Sequence, residues 1–169
     1  MANRNVIYEA CFEDYLRASG VPYVAVDEAK KALFAGVRLK SFDFVVYSRT
    51  GPNLLVDVKG RRFPYHGSGG RRYWENWTTE DDLGCLRRWE EVFGTGFTGL
   101  FVFCYHLTEA EAAERFEVVH GFRGEGFGLV GVYRSAYAAA CRPRSRSWGT
   151  VSMPTAAFRE AVEPVSRFF

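Results

Sequence analysis

The sequence predicts an α/β protein: a helix, three strands, a second helix and a further strand in order, followed by C-terminal additions. Three observations predict it. Residues 5–18 carry apolar side chains at helical spacing. Three short apolar runs then follow, the last two separated by a clear turn signal. A second helical pattern leads into the most apolar run of the chain. Helical and strand-like segments in this alternation form an α/β or α+β layered sandwich.

In the first helix Ile7, Tyr8, Cys11, Phe12, Tyr15 and Leu16 share one broad face, Glu9 lies at its edge beside Leu16, and Gly20 is the stop. Residues 21–27 (VPYVAVD) and 41–49 (SFDFVVYSR) read as the first two strands. Thr50-Gly51-Pro52-Asn53 is a turn, so 53–62 (NLLVDVKGRR) is a third strand paired as a hairpin with the second. Residues 63–77 have no period and are rich in Gly, Arg and aromatics, which reads as a long functional loop. Thr78 or Thr79 caps a helix to about Phe93, with Asp81 or Asp82 in a capping-box-like position. Residues 96–107 (GFTGLFVFCYHL) read as a central strand. Strands near 116–122 and 127–133, a short helix at 135–141, an edge strand at 148–153 and a helix at 155–162 complete the chain.

The 169 residues suit one domain over 1–169, and 47% hydrophobic content supports a sizeable core. Net charge is only +2, but its distribution is uneven. Lys59, Arg61, Arg62, Arg71 and Arg72 form one acid-free basic segment, and Arg142, Arg144 and Arg146 a second. Such clusters suit phosphate contacts, although charge alone favours ordinary solvated loops. The four cysteines have no zinc spacing and read as buried thiols in a reducing compartment. With no signal-like segment and no membrane-length apolar run, the expectation is a cytoplasmic protein without a membrane partner.

The third strand poses the chemical question. Asp57 and Lys59 sit two apart in an apolar run and so share one face. An acid two residues before a lysine is a cheap pattern, expected roughly half a time by chance in this composition. Glu28-Ala29-Lys30 matches it too, beyond a strand end, and reads as surface. The copy at 57–59 has context. Asp43 is a charged residue embedded in the neighbouring apolar strand, so Asp43 and Asp57 can meet on one face. Two close carboxylates repel unless a proton or a cation lies between them. Mg²⁺ or Mn²⁺ suits carboxylate and water ligands, and a lysine nearby can bind a phosphate oxygen or orient the attacking water. Glu9 is a candidate third carboxylate. The bland alternative makes Asp57 and Lys59 ordinary solvated positions of a half-buried hairpin.

In this order the elements resemble the PD-(D/E)XK nuclease superfamily, over roughly residues 5–107. Phe42-Asp43 stands for the "PD" half, without its proline, and Asp57-Val58-Lys59 for the D-x-K half. The spacing looks most like the Holliday-junction-resolvase-like branch, in which a helix glutamate precedes both motifs. Ile7-Tyr8-Glu9-Ala10-Cys11-Phe12-Glu13 also resembles the signature of the uncharacterised HYExAFE family, departing from it at Ile7 and Cys11. The superfamily resemblance implies a restriction-endonuclease-like core and metal-dependent phosphodiester hydrolysis, with DNA the favoured partner. It implies Asp43, Asp57 and the Val58 carbonyl as metal ligands, Glu9 as an outer ligand and Lys59 as the catalytic cation. By analogy with resolvases it implies a homodimer, since a junction has two-fold symmetry.

The weaker signals are read beside it. Arg61, Arg62, Arg71 and Arg72 are candidate phosphate contacts, and Tyr73, Trp74 and Trp77 candidate stacking surfaces or core residues. Glu13 is a second choice for the helix carboxylate, its plainer role being a partner for Arg17. The glycines at 124–128 read as a hairpin turn, and His106 and His120 as hydrogen-bonded structural residues. Two rival readings stay open: an inactive nucleic-acid-binding module and a protein-interaction domain on the same fold.

Overall fold

The computed structural model describes residues 4–27, 32–34, 36–66 and 72–169. The elements in order are α1 (Arg4–Ala18), β1 (Tyr23–Ala25), β2 (Ala32–Phe34), β3 (Val37–Leu39), β4 (Phe44–Val46), β5 (Asn53–Phe63), β6 (Tyr65–His66), β7 (Arg72–Tyr73), β8 (Thr78–Thr79) and α2 (Glu80–Phe93). After these come β9 (Phe97–Leu107), a 3₁₀ turn (Ala110–Arg115), β10 (Val119–Phe122), β11 (Glu125–Tyr133), α3 (Arg134–Ala140), β12 (Arg142–Ser145), β13 (Thr150–Ser152), α4 (Thr155–Ala161), β14 (Glu163–Pro164) and a last 3₁₀ turn (Val165–Phe168).

Among the described residues, seven strands form one mixed sheet in the order β1-β4-β5-β9-β11-β10, with β14 beside β11. The β4–β5 hairpin pairs Phe44 with Val56, Val45 with Leu55 and Val46 with Leu54. β5 runs parallel to β9 along its whole length, Asn53↔Phe97 to Phe63↔Leu107. A parallel neighbour requires a crossover, and α2 supplies it.

Side-chain alternation along β5 decides the rest. Leu54, Val56 and Val58 point into one core with Cys11, Phe12 and Leu16 of α1. Leu55 and Phe63 point to the other face, into a core with Leu86 of α2, Phe101, Phe103 and Tyr137. Asp57, Lys59 and Arg61 share the parity of Leu55, so they lie on the α2 face. Gly60 has the opposite parity and meets α1. A β-carbon there would fall 1.9 Å from the Tyr8 ring, so only glycine lets the helix lie this close to the strand.

α2 starts where the sequence indicates. Thr79 is its N-cap, and the Thr79 Oγ1 accepts the Asp82 N–H at 2.9 Å. Trp89 and Phe93 pack on Phe42 edge to face.

Four features depart from the sequence reading. The β2–β3 hairpin was not anticipated. The segment 63–77 is not all loop, because β6 and β7 pair as Tyr65↔Tyr73 and His66↔Arg72. Residues 150–152 are not an edge: β13 lies between β12 and β8 in a separate three-stranded sheet. β12 itself contains Pro143, which hid it, and lies on the outer edge where a missing N–H is tolerated. A hairpin turn is present at Arg123-Gly124, both at positive φ, while Glu125 to Gly128, read as part of it, already pair with β10 as the start of β11. Residues 28–30, with the second acid-x-lysine pattern, lie outside the described residues.

Candidate active site

A cleft of about 660 Å³ opens beside the C-terminal half of β5. It is lined by Asp43, Asp57, Lys59 and Glu9, by Lys40 from the segment after β3, and by Asp82 from the first turn of α2. The cleft exists because β4 is short. Pairing of β5 to β4 stops at Phe44↔Val56, whereas its pairing to β9 continues for seven more residues. The backbone of β5 from Asp57 onward thus has one open edge. Asp43, one residue before β4, turns its carboxylate to that edge, and its Oδ2 accepts the Val58 N–H at 2.6 Å. A strand residue's N–H and C=O point the same way, so the Val58 carbonyl faces the open edge as well.

Asp57 and Lys59 are not solvated. Their side chains are 14% and 13% exposed, and the Lys59 ammonium lies 2.9 Å from Asp57 Oδ1 and 2.7 Å from Asp82 Oδ2. Lys40 binds the other oxygen of Asp82. Its backbone is fixed in turn by α2, since Trp89 Nε1 donates to the Lys40 carbonyl at 2.9 Å. Two lysines and two aspartates thus form one chain of charges, Asp57–Lys59–Asp82–Lys40.

The electrostatics follow from burial and neighbours. Burial pushes the Asp57 carboxyl up, Lys59 pulls it down and nearby Asp82 pushes it up again, leaving it raised. Burial opposes the Lys59 charge, but Asp57 and then Asp82 outweigh it, so the ammonium is held above its ordinary value. Burial would also raise Asp82, but Lys59 and Lys40 overcome it and bring that carboxyl to about 2. At neutral pH Lys59 is charged and its position is fixed by two acids on different elements.

Asp82 is the functional candidate that sequence reasoning missed. Its spacing from Thr79 marked it as a capping-box residue, and its backbone does play that part. Its carboxylate instead turns into the cleft, to Lys59 and Lys40. Glu9 lines the cleft from α1. Glu13, the second choice, accepts from Tyr23 Oη at 2.8 Å and pairs with Arg17 at 3.2 Å, which is its plainer role.

Among the described residues, no group of three or more His, Cys, Asp or Glu side chains is arranged to hold a metal ion. Mg²⁺ does not require one, because it binds through one or two carboxylates and keeps several waters. Asp43 just before β4 and Asp57 on β5, with a carbonyl at the open edge, fit that donor set.

No family model matches the sequence, and no curated protein matches it significantly. Among solved structures, the chain is similar to Hjc, a Holliday junction resolvase from the archaeon Archaeoglobus fulgidus. The TM-score is 0.55 at 10% identity, over 96% of this chain and 98% of that one. The chain has a resolvase-like, restriction-endonuclease-like α/β fold. Nothing in these comparisons supports the HYExAFE resemblance.

The basic segment after Lys59 divides within this resolvase-like fold. Arg61 turns inward: its guanidinium lies 4.1 Å over the Trp77 ring, donates to the Gly60 carbonyl at 2.7 Å and also donates to the Trp77 carbonyl. Arg62, of opposite parity, is exposed. Arg71 lies outside the described residues, as does the Arg72 side chain. Trp74 is a core residue stacked 4.8 Å from Phe116, not a base platform. Trp77 lines the cleft. His106 and His120 pair with Glu125 and Asp14 as structural histidines do. No described helix is long and apolar enough to cross a membrane.

Proposed function

We propose that this protein is a divalent-metal-dependent nuclease that hydrolyses phosphodiester bonds of DNA, with branched DNA the first substrate to test. The observation that carries the reading is the meeting of Asp43, Asp57, Lys59 and Glu9 in one cleft on a resolvase-like fold. The description of the archaeal neighbour as a Holliday junction resolvase supports the choice of a junction substrate, and the two-fold symmetry of a junction suits a homodimer as the working unit. One unit over 1–169 carries the whole site.

Asp43, Asp57 and the Val58 carbonyl are the residues that would hold Mg²⁺ or Mn²⁺, with Glu9 as an outer partner. When bound, the ion polarises the phosphate and lowers the pKa of the attacking water. Lys59 donates hydrogen bonds toward the phosphate oxygen or the water that attacks it. Asp82 acts through Lys59: with Asp57 it keeps the long side chain in one rotamer and charged. Val58 N–H holds the Asp43 carboxylate against the strand edge, so that acid does not need to be ordered when substrate arrives.

The test is cleavage of plasmid and four-way-junction DNA with Mn²⁺, beside Asp57→Ala and Lys59→Ala. The expected result is cleavage by the unaltered chain and none by either variant. Cleavage surviving both substitutions removes the assignment. Binding without cleavage by the unaltered chain identifies an inactive nucleic-acid-binding module instead.

A further inference from the structure

The β12–β13 hairpin has no part in the cleft chemistry, yet it is fastened to the cleft wall. β13 pairs with β8 as Thr150↔Thr79 and Val151↔Thr78, and both threonines line the cleft. The Gly149 carbonyl accepts the N–H of Glu80, the first residue of α2, at 2.8 Å. Gly149 has φ of +56°, a turn that presents Trp148 outward. The hairpin is thus held rigidly beside the site.

Its surface is unlike the rest of the molecule. The sequence has no Asp or Glu from residue 126 to residue 159. Arg142, Arg144 and Arg146 are all exposed, and none makes a salt bridge among the described residues. The register shifts between Pro143 and Ser145, so Arg144 is the bulged residue, and a bulge re-aims its side chain. Arg144 reaches back to lie 5.5 Å from the Trp77 ring at the cleft, the same ring that Arg61 covers. At the tip, Trp148 is 80% exposed, the most exposed large apolar side chain among the described residues. Uncompensated arginines along a strand, ending in a bare indole, match a polyanion with π-faced groups.

We propose that the β12–β13 hairpin is a DNA-binding element that extends the cleft, with Arg142, Arg144 and Arg146 on backbone phosphates and Trp148 stacked on an unpaired base at a branch or strand end. This rests on the nuclease reading only in placing DNA in the cleft. The hairpin gives a reason for a preference for branched over fully paired substrates, because an indole stacks only on a base freed from its neighbours.

The experiment measures affinity of the full chain for a fluorescein-labelled four-way junction carrying an unpaired gap and for a fully paired duplex, across a salt series. Arg142→Gln/Arg144→Gln/Arg146→Gln is expected to weaken both and to lower the salt slope by about 2 to 3. Trp148→Ala is expected to weaken the gapped junction about 5- to 100-fold while duplex binding stays within about twofold. Trp148→Phe should recover most of the loss, which shows that stacking rather than folding is read. Unchanged affinity and slope in the triple variant overturns the proposal, as does a Trp148→Ala effect that is absent or equal on both DNAs. Cleavage is followed on the same substrates with Mn²⁺. A chain that binds through the hairpin and cuts nothing overturns the nuclease reading and leaves this proposal standing. A chain that cuts, while every hairpin variant binds as the unaltered one does, overturns this proposal alone. A chain that binds neither DNA overturns both.

Discussion

Arg61 and Arg144 lie over the same Trp77 ring and belong to two different regimes. Arg61 is half-buried, its guanidinium pulled below its ordinary value by burial, and its two terminal nitrogens are spent on backbone carbonyls. Arg144 is exposed and makes no salt bridge among the described residues. The contrast extends to their surroundings. In the cleft Asp57, Lys59, Asp82 and Lys40 compensate one another, so any change there alters both stability and chemistry. On the hairpin the cations are uncompensated, so changes there alter binding and little else. Charge that is satisfied inside the protein shapes a site, and charge left unsatisfied outside selects a partner.

The largest expected effect breaks the cleft side. Lys59→Ala and Asp57→Ala should each lower cleavage by about 10²- to 10⁴-fold, the first by removing a positioned donor at the phosphate or water and the second by removing a ligand of the proposed metal. Next in size is the cost of stranded charge. Lys59→Met leaves Asp57 without its ammonium and removes one of two from Asp82, which should cost about 3 kcal/mol in urea unfolding at pH 7. Adding Asp57→Asn should return much of that loss. Gly60→Ala should cost about 2 kcal/mol, since the Tyr8 ring occupies the place of the new methyl, and should move Glu9 with its helix.

The pH dependence is smaller and has a definite sign. Asp82 is held at about 2, below the ordinary 3.9 or so of an unfolded aspartate, so it stabilises the fold above about pH 4. That stability, about 2 kcal/mol, is lost as pH falls toward 2. Asp57 is shifted the other way, and its protonation relieves a cost instead of adding one. Asp82→Asn should therefore show a flatter acid limb than the unaltered chain in unfolding measured between pH 5 and pH 2. The smallest effect sharpens the hairpin side: Arg142→Gln, Arg144→Gln and Arg146→Gln should each change stability by less than about 0.5 kcal/mol, as surface substitutions do.

What was legible in the sequence follows the same division between local and distant causes. The first helix, β5, α2 and β9 were readable because period and capping are local. The pairing of β4 with β5 was readable because a short turn joins them. So was the shared face of Asp57 and Lys59, which needs only strand parity, whereas Asp43 reaches the same cleft from the bend before β4, by turning its carboxylate to the Val58 N–H. Asp82 was not readable as a cleft residue. Its role depends on α2 landing beside Lys59, 23 residues away in sequence, while its local spacing pointed to a cap. Arg61 reads as a candidate phosphate contact in the sequence because Trp77, which covers it, enters from 16 residues on. β12 was hidden by its proline, and the basic run it carries looked like a loop.

The central claim is that Asp43 and Asp57, and not Asp82 of α2, supply the carboxylates of the metal site. Titration of Mn²⁺ into the full chain by calorimetry tests it most directly. Binding to the unaltered protein is expected, with loss of that binding in Asp43→Asn and in Asp57→Asn and its retention in Asp82→Asn. Binding unchanged by both strand substitutions, or lost as fully in Asp82→Asn, would contradict it.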